Sequence, residues 1–287
     1  MNFIDSALNV ILNKMRLNTA GSHEHDDSCP SFSEIPLIDE GLPIDVTWTV
    51  ATHPIPTLPV RDLFAANAKL IRELCYASSL SEEEAQRFLL PVIVNLARIV
   101  HLVPASEDSE DGHHQGYGGL FRHSLEVAYY AANEAKLTIF DQGETPKQKF
   151  LNRRRWILTT ILAGLIHDVG KVFINAKIVD GNGLEWGENE PLLDWLRRNK
   201  IKRYQISIVC KKGDYFYRNV SHFYSDRVIP KQTYAFLELT GSEEKMINAF
   251  KEAVLEGPEG GLIGRIVGSA NSLSKRLNQE QQRNHNS

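Results

Sequence analysis

A mostly α-helical fold with one small β-hairpin is what this sequence predicts. Apolar residues recur at helical spacing along most of residues 59–277. Residues 203–220 differ, because they are rich in aromatic and β-branched residues on either side of Lys211-Lys212-Gly213, a pattern typical of a hairpin. Since 42% of the 287 residues are hydrophobic, the chain can bury a sizeable core.

Seven helices account for the helical pattern. The second begins at the capping-box sequence Ser81-Glu82-Glu83-Glu84, and Pro91 is expected to kink or restart it. The fourth ends in a long apolar run, residues 157–166, that is typical of a buried element. The predicted helices cover residues 62–77, 81–103, 120–136, 149–166, 186–198, 242–255 and 262–277.

The two ends of the chain are predicted to lie outside the helical domain of residues 59–277. Residues 1–17 place apolar side chains on one face of a short amphipathic helix, which we expect to serve as a docking arm. Residues 18–58 are rich in Pro, Ser, Asp and Glu without periodicity, as in an extended linker. Residues 278–287 are polar and are expected to form a disordered tail.

Bulk properties narrow the class of protein. Cys29, Cys75 and Cys210 are scattered and odd in number, which favours a reducing compartment over a disulfide framework. No run of eighteen uninterrupted apolar residues and no secretory signal is present, so we expect a cytoplasmic protein without a membrane span. The formal net charge of -4 gives no overall attraction to nucleic acid, so any DNA contact must come from local basic patches.

The pentapeptide His167-Asp168-Val169-Gly170-Lys171 closes the apolar run and is the most informative motif. A neutral imidazole and a carboxylate suit a divalent metal ion, and such an ion can activate water and polarise a phosphoryl oxygen. Lys171 could neutralise a phosphate, although a Lys after a helix end also simply complements the helix dipole. The motif therefore indicates a metal-dependent phosphoesterase.

A second group of candidates lies upstream, in His113-His114-Gln115-Gly116-Tyr117-Gly118-Gly119 and the helix that follows it. A glycine-rich loop at a helix start suits an anionic ligand, because exposed backbone N–H groups and the helix dipole favour negative charge. His123, near the start of that helix, can meet the His167-Asp168 pair if the two helices pack antiparallel. His113 and His114 could then hold a DNA phosphate or complete a metal shell, or belong to an exposed polar loop.

These residues resemble the HD superfamily of metal-dependent phosphohydrolases, whose pattern is a first His, a His-Asp pair and a distant Asp on a C-terminal helix. More narrowly, Leu102-Val103-Pro104-Ala105-Ser106, the His113-His114 pair and His123-Ser124-Leu125-Glu126-Val127-Ala128 look like the MobH-class, or TraI-type, relaxases. Those are the HD-type DNA-nicking proteins of conjugative plasmids and integrative elements. The resemblance covers roughly residues 57–277.

The resemblance implies a metal centre in a helical HD fold. It implies a divalent ion (Mn, Mg, Fe or Zn) whose ligands would be His123, His167, Asp168, His222 and Asn271. The chain departs from the family at Asn271, because the family has an Asp there, with a Ser three residues later. A neutral amide oxygen in place of a carboxylate should weaken metal binding.

The resemblance also implies a substrate and the roles of neighbouring groups. Lys171, His113 and His114 would position a DNA strand at the reacting phosphate. Tyr117 is a weaker expectation as a nucleophile, since the HD chemistry offers a metal-bound water instead. Expected partners are single-stranded or nicked DNA resembling an origin of transfer, and other relaxosome proteins.

Two basic stretches could bind the DNA backbone, or could be solvated helix faces and a hairpin core. Aromatic residues interleaved with the second, among them Trp195, Tyr204 and Tyr217, could stack on bases of a single strand. The candidate DNA-binding residues are Arg153, Arg154, Arg155, Arg197, Arg198, Lys200, Lys202 and Lys211.

Three functions are consistent with the sequence. The favoured one is a relaxase-type module that nicks or processes DNA of a conjugative element by metal-dependent phosphodiester chemistry. The first alternative is an HD phosphohydrolase acting on nucleotides or small phosphate esters. The second is a non-catalytic DNA-binding or relaxosome scaffold whose metal site has been weakened at Asn271.

Overall fold

The computed structural model describes residues 28–42, 54–106, 112–187, 190–208, 214–238 and 243–286. Helices make up 67% of the structure and strands 6%, which confirms a mostly α-helical fold with a small β element. The amphipathic helix predicted for residues 1–17 lies outside the described residues. So do Lys211 and Cys210.

Eleven helices of six or more residues and three short strands are numbered here in chain order among the described residues. A helical turn (Glu82–Glu84) and a π-helical segment (Ala85–Leu89) precede the helix Leu90–Val100, so the α-helix restarts close to Pro91 as predicted. The helices are α1 Val60–Ala65, α2 Ala68–Ala77, α3 Leu90–Val100, α4 Gly119–Leu137, α5 Pro146–Ile166, α6 Gly170–Asn175, α7 Leu192–Arg198, α8 Asp214–Val228, α9 Lys231–Glu238, α10 Glu243–Glu256 and α11 Gly261–Asn286. The strands are β1 Ile55–Pro56, β2 Ala176–Asp180 and β3 Arg203–Ile208.

Helix α5 is the central element of the core. It begins at a capping box, in which Thr145 accepts from the backbone N–H of Gln148, and Pro146 occupies the first turn where its missing N–H is tolerated. Every residue from 155 to 166 is buried. Residues 146–175 are long and apolar enough to cross a membrane, but 83% of the most apolar window is buried inside the protein. This stretch is therefore accounted for as the core helix of the fold.

Helices α4 and α5 pack antiparallel. The contacts run in opposite directions along the two helices: His123 lies beside His167 at one end, and the carbonyl oxygen of Lys136 accepts from Arg153 at the other. The C-terminal helix α11 packs across both of them. This three-helix arrangement brings the N-terminal part of α4, the C-terminal end of α5 and the middle of α11 together.

The predicted β-hairpin of residues 203–220 is only half correct. Strand β3 forms as expected, but it is the middle strand of an antiparallel sheet in the order β1-β3-β2. The second half of the prediction is wrong, because residues 214–220 begin helix α8. Its buried positions Tyr217, Ser221, Tyr224 and Val228 recur every three to four residues, so helical periodicity over fifteen residues outweighs the local β propensity of the aromatic residues.

Both chain ends are more ordered than predicted where the structure describes them. Within the predicted linker, Phe32 and Ile35 are buried against the core, and Ile55 pairs with Tyr204 in the sheet. The predicted tail is helical instead, since α11 continues to Asn286. The predicted helix 186–198 starts only at Leu192.

Candidate metal centre

His123, His167 and Asp168 converge, as the sequence predicted. One potential ligand atom from each lies within 4.8 Å of the others, although 44 residues separate the two histidines. Asp168 Oδ2 lies 3.5 Å from His123 Nε2 and 3.3 Å from His167 Nε2. We call these three residues the ligand cluster.

The tautomer of His167 follows from its hydrogen bond within α5. Its Nδ1 lies 2.7 Å from the backbone carbonyl oxygen of Gly164. Because a carbonyl can only accept, Nδ1 carries the proton. In the neutral imidazole Nε2 then keeps the lone pair that a metal ion requires.

His123 has the same tautomer for a different reason. Its Nδ1 lies 3.0 Å from Ser274 Oγ, and that hydroxyl donates its single proton to Glu126 Oε2 over 2.9 Å. Nδ1 must therefore donate to the hydroxyl oxygen. His123 is fully buried, so its ring is held in place with Nε2 directed at Asp168.

Three buried atoms support the fit to a cation. His123 Nε2, His167 Nε2 and Asn271 Oδ1 are each inaccessible to solvent and have no hydrogen-bond partner among the described residues. Buried polar atoms without partners are rare and costly in folded proteins. Two imidazole nitrogens, a carboxylate and an amide oxygen form a donor set that suits a divalent ion such as Mn²⁺, Fe²⁺ or Zn²⁺.

The electrostatics of the cluster favour the ligating protonation states. Burial alone would raise the pKa of Asp168, but the electrostatic influence of His167, Lys171 and His123 holds that pKa well below its usual range. Burial lowers the pKa of His123 well below its ordinary value, against the opposing effect of Asp168. A carboxylate and a neutral imidazole therefore face each other at neutral pH.

Lys171 lies at the cluster and faces a cavity of about 190 Å³. Its Nζ donates to Asp168 Oδ2 over 2.6 Å. The other cations in the cavity wall are Arg218 and Lys275, whereas one wall is made of small and apolar residues of α10 and α11. Its charged and metal-ligating lining residues, with the amide of Asn271, are His167, Asp168, Lys171, Arg218, Asn271 and Lys275.

His113 and His114 are buried beside His123, and do not belong to an exposed loop. The ring centroids of His113 and His123 are 4.7 Å apart, and those of His114 and His123 are 5.0 Å apart. Gly119 permits this packing, because a β-carbon at that position would lie 1.8 Å from the His114 carbonyl oxygen. Asn278, from the predicted tail, accepts from the His114 backbone N–H over 2.7 Å and holds the loop.

Glu126 and Ser274 belong to the site, although the sequence analysis gave neither of them a role. Glu126 accepts from His114 Nε2 over 3.0 Å and from Ser274 Oγ, and Arg122 donates to its other oxygen over 3.0 Å. Helical spacing is the signal that could have found both, because Glu126 lies three residues after His123 and Ser274 three residues after Asn271.

His222 lies outside the ligand cluster, contrary to its predicted place among the ligands. The charges that act on it are those of Lys251 and Asp226, and it is in neither group of potential ligands found among the described residues. Burial and Lys251 lower the pKa of His222. The neighbouring Ser221 reaches the site instead: its hydroxyl accepts from the Gly170 N–H over 2.8 Å and donates to the His167 carbonyl oxygen over 3.2 Å.

The first basic stretch is largely engaged within the protein. Arg153 donates to the Lys136 carbonyl oxygen over 3.1 Å, and Arg154 forms an ion pair with Glu84 over 2.6 Å. Arg155 is buried. Arg153 and Arg154 are nevertheless exposed to solvent, so within this stretch they are the two of the three arginines that a DNA backbone could reach.

The second basic stretch has a more exposed part. Arg198 pairs with Glu190, and Arg197 is partly buried so that desolvation lowers its pKa. Lys200 and Lys202 are exposed to solvent. Where the structure describes this stretch, these two lysines are the candidates best placed to contact a polyanion.

The aromatic residues proposed as stacking platforms belong to the core. Trp195, Tyr204 and Tyr217 are all buried, so their rings cannot stack on bases. Tyr117 has a buried hydroxyl and lies close enough to Tyr204 to influence its pKa, which is raised well above its usual value chiefly by burial. None of the three platforms is available at the surface.

Comparison with known proteins assigns a family. The chain matches no curated protein. The sequence model of the TraI_2 family, described as "putative helicase", matches residues 55–287, which span the ligand cluster, the cavity and the whole sheet. The chain therefore belongs to the TraI_2 family, a conjugative relaxase-like family.

Proposed function

We propose that this protein is a metal-dependent phosphodiesterase of the HD type that nicks or processes DNA of a conjugative element. The observation that carries the proposal is the convergence of His123 Nε2, His167 Nε2 and Asp168 Oδ2. Two of these three atoms are buried without a hydrogen-bond partner among the described residues, which is unfavourable unless a cation binds there. The family match supports DNA processing in conjugation as its setting.

The residues around the cluster have distinct tasks in this proposal. His123, His167 and Asp168 would hold the ion, with Asn271 offering a neutral oxygen. A bound divalent ion would supply Lewis-acid stabilisation of a phosphate and a lowered pKa of water. Lys171, Arg218 and Lys275 line the cavity and would balance the charge of the phosphate group.

The cavity favours a strand over a whole nucleotide as substrate. Its volume of about 190 Å³ is below the roughly 300–1,000 Å³ typical of pockets that enclose small ligands. It can take a phosphate with part of a sugar, while the rest of a strand would lie across its opening. An HD phosphohydrolase that encloses a nucleotide would need a larger pocket.

The described chain gives no support to nucleotide-driven unwinding. Its sequence contains no Gly-x-x-x-x-Gly-Lys-Ser/Thr loop, since its single Gly-Lys pair, Gly170-Lys171, is followed by Val172. That pair belongs to the ligand motif at the end of α5. We therefore propose phosphodiester chemistry for these residues and do not extend the helicase description to them.

The decisive experiment combines metal content with cleavage. Purified protein would be dialysed against Mn²⁺, Mg²⁺ or Zn²⁺, its metal content measured, and its cleavage of a single-stranded oligonucleotide and of bis-p-nitrophenyl phosphate followed. Asp168→Asn should lose both stoichiometric metal and cleavage. Asp226→Asn, which removes an exposed carboxylate of α8, should keep both.

Two outcomes would contradict the proposal. Stoichiometric metal with hydrolysis of nucleotides but not of oligonucleotides would favour the small-substrate phosphohydrolase. DNA binding without a stoichiometric amount of Mn²⁺, Mg²⁺ or Zn²⁺ would favour a non-catalytic scaffold. The neutral Asn271 would then explain the loss of metal binding.

A further inference from the structure

The ligand histidine His123 and the neighbouring His113 are linked by hydrogen bonds to one partly buried carboxylate, that of Glu126. Glu126 projects from α4 with its side chain only 14% exposed, and it accepts hydrogen bonds on both oxygens. Arg122 Nε donates to Oε1 over 3.0 Å, which leaves Oε2 for the site. Oε2 accepts from two different donors, each of which begins a chain of hydrogen bonds.

The first chain ends at the ligand cluster. Ser274 Oγ donates to Glu126 Oε2 over 2.9 Å and lies 3.0 Å from His123 Nδ1. Because the hydroxyl has a single proton, the imidazole must be the donor in the second contact. Nδ1–H is therefore fixed on His123, and the lone pair is left on Nε2.

The second chain ends at His113. His114 Nε2 lies 3.0 Å from Glu126 Oε2, where only an N–H can pair with a carboxylate oxygen. In neutral His114 this leaves a lone pair on Nδ1, which lies 3.1 Å from His113 Nδ1. His113 Nδ1 must donate, so His113 also keeps its lone pair on Nε2.

We infer that Glu126 is a positioning residue that sets, through these two chains, which nitrogen of His123 and which nitrogen of His113 keeps a lone pair. The inference rests on the proposed metal centre for its purpose. One nitrogen would serve as a ligand for a divalent cation. The other would be a hydrogen-bond acceptor close to Lys171 and Lys275, whose charges act on His113.

This arrangement also places a carboxylate close behind the metal centre. A ligand histidine whose second nitrogen is hydrogen-bonded towards a carboxylate is better oriented and more basic, and loss of such outer partners typically weakens metal binding about 10- to 100-fold. Asn271 contributes a neutral oxygen where a carboxylate would contribute a negative charge. The negative charge of Glu126, linked to His123 through Ser274, compensates in part by making His123 a more basic ligand.

The test reads imidazole tautomers directly. Long-range ¹H–¹⁵N NMR of protein labelled with ¹⁵N-histidine distinguishes Nδ1–H from Nε2–H, and is recorded without added metal so that it does not depend on activity. Wild type should show Nδ1–H for His113 and His123 and Nε2–H for His114. Ser274→Ala should alter His123 alone, whereas Glu126→Ala should alter both His123 and His113.

Calorimetric titration with Mn²⁺ and Zn²⁺ gives the second readout. Ser274→Ala and Glu126→Ala should each weaken binding about 10- to 100-fold. Glu134→Ala is the matched control, since it removes an exposed carboxylate from the same helix, and should stay within about threefold.

The outcomes separate this inference from the proposed function. An Nε2–H tautomer for His113 or His123 in wild type, or unchanged tautomers in Glu126→Ala, would overturn the role of Glu126. If Glu126→Ala does not fold, the wild-type tautomers and Ser274→Ala still decide. The expected tautomers in a protein that binds neither ion would support the hydrogen-bond chains and reject the metal centre.

Discussion

Gly164 of α5 packs directly against the backbone of Ala128 of α4. A β-carbon built on Gly164 would lie 2.9 Å from Ala128 Cα, closer than real β-carbons approach other atoms, and 3.1 Å from the Ala128 backbone nitrogen, which is tighter than most real contacts. The contact occurs one turn before His167 and slightly over one turn after His123. The glycine therefore sets the spacing of the two helices at the point where they present the ligand histidines.

Gly164→Ala should separate the two helices and disturb the site. Alanine is the better helix former by about 1 kcal/mol, but overpacking a tight core typically costs about 1–3 kcal/mol. Here the clash is with backbone, which cannot rotate away, so we expect a net loss of stability of about 1–2 kcal/mol. Urea unfolding measures the loss, and calorimetry should show weaker binding of divalent ions.

Gly143→Ala is the matched control for this substitution. A β-carbon at Gly143 has open space around it, so stability should change little. If Gly164→Ala is as stable as wild type and binds metal equally well, the close approach does not position the ligands.

Asn271→Asp should tighten the binding of divalent ions. An anionic oxygen replaces a neutral one at a buried atom of a residue that lines the same cavity as His167 and Asp168, and hard cations prefer carboxylates. We expect an affinity gain of roughly tenfold, equivalent to about 1.4 kcal/mol. Calorimetry with Mn²⁺ provides the measurement.

The control for Asn271→Asp is Asn284→Asp. It adds the same charge to an exposed position of α11, thirteen residues or roughly 20 Å further along the helix. Only the change at position 271 should affect affinity. Equal or weaker binding in Asn271→Asp would show that this side chain does not contact the ion.

The convergence of the ligand residues could be predicted because its signals are local. His167 and Asp168 follow a long apolar run, and His123 follows a glycine-rich loop at a helix start, so two helix ends were identified without any knowledge of packing. An antiparallel pair of helices is then enough to join them. The hydrogen bond between Glu126 and Ser274 could not be predicted in the same way, because it depends on how α11 crosses α4 and the sequence pattern does not determine that crossing.

Aromatic residues were harder to place than the metal ligands. Trp195, Tyr204 and Tyr217 lie near lysines and arginines in the sequence, which favours a nucleic-acid surface, but in the structure the aromatic rings point into the core. Strand alternation separates the two sets in β3, where Tyr204 is buried and its neighbour Arg203 is exposed. Local composition could not reveal which face was the inner one.

His101 should make the stability of the fold depend on pH. It is fully buried, with Nε2 2.9 Å from the Leu58 carbonyl oxygen and Nδ1 2.6 Å from Tyr204 Oη. Burial lowers the pKa of His101 from 6.5 to about 4, so between these values the unfolded chain binds more protons than the folded one. The free energy of unfolding is therefore unaffected by His101 protonation above pH 6.5. It decreases as the pH falls towards 4, by at most about 3 kcal/mol.

Urea unfolding at pH 7.5 and pH 5 measures this effect. Other buried histidines contribute to the same trend, so the informative quantity is the difference between wild type and His101→Gln. The variant should be less stable at pH 7.5 but should lose less stability on acidification. An identical pH dependence in the two proteins would mean that His101 protonates as readily in the fold as in the unfolded chain.

The exposed lysines Lys200 and Lys202 should carry part of the DNA affinity. Each phosphate contact made by a lysine releases condensed counterions, so the logarithm of affinity falls with the logarithm of salt concentration by about 0.7 per contact on single strands. Lys200→Gln/Lys202→Gln should therefore reduce the slope by about 1.4, irrespective of base sequence. Fluorescence anisotropy with a labelled oligonucleotide across a salt series gives the slopes.

The matched control is Lys231→Gln/Lys251→Gln, which removes two exposed lysines from α9 and α10. If the DNA strand follows the surface around Lys200 and Lys202, the salt-dependence slope of this control variant should equal that of wild type. Equal slopes for wild type and both double variants, together with metal-dependent cleavage of oligonucleotides, would place the DNA track elsewhere on the protein.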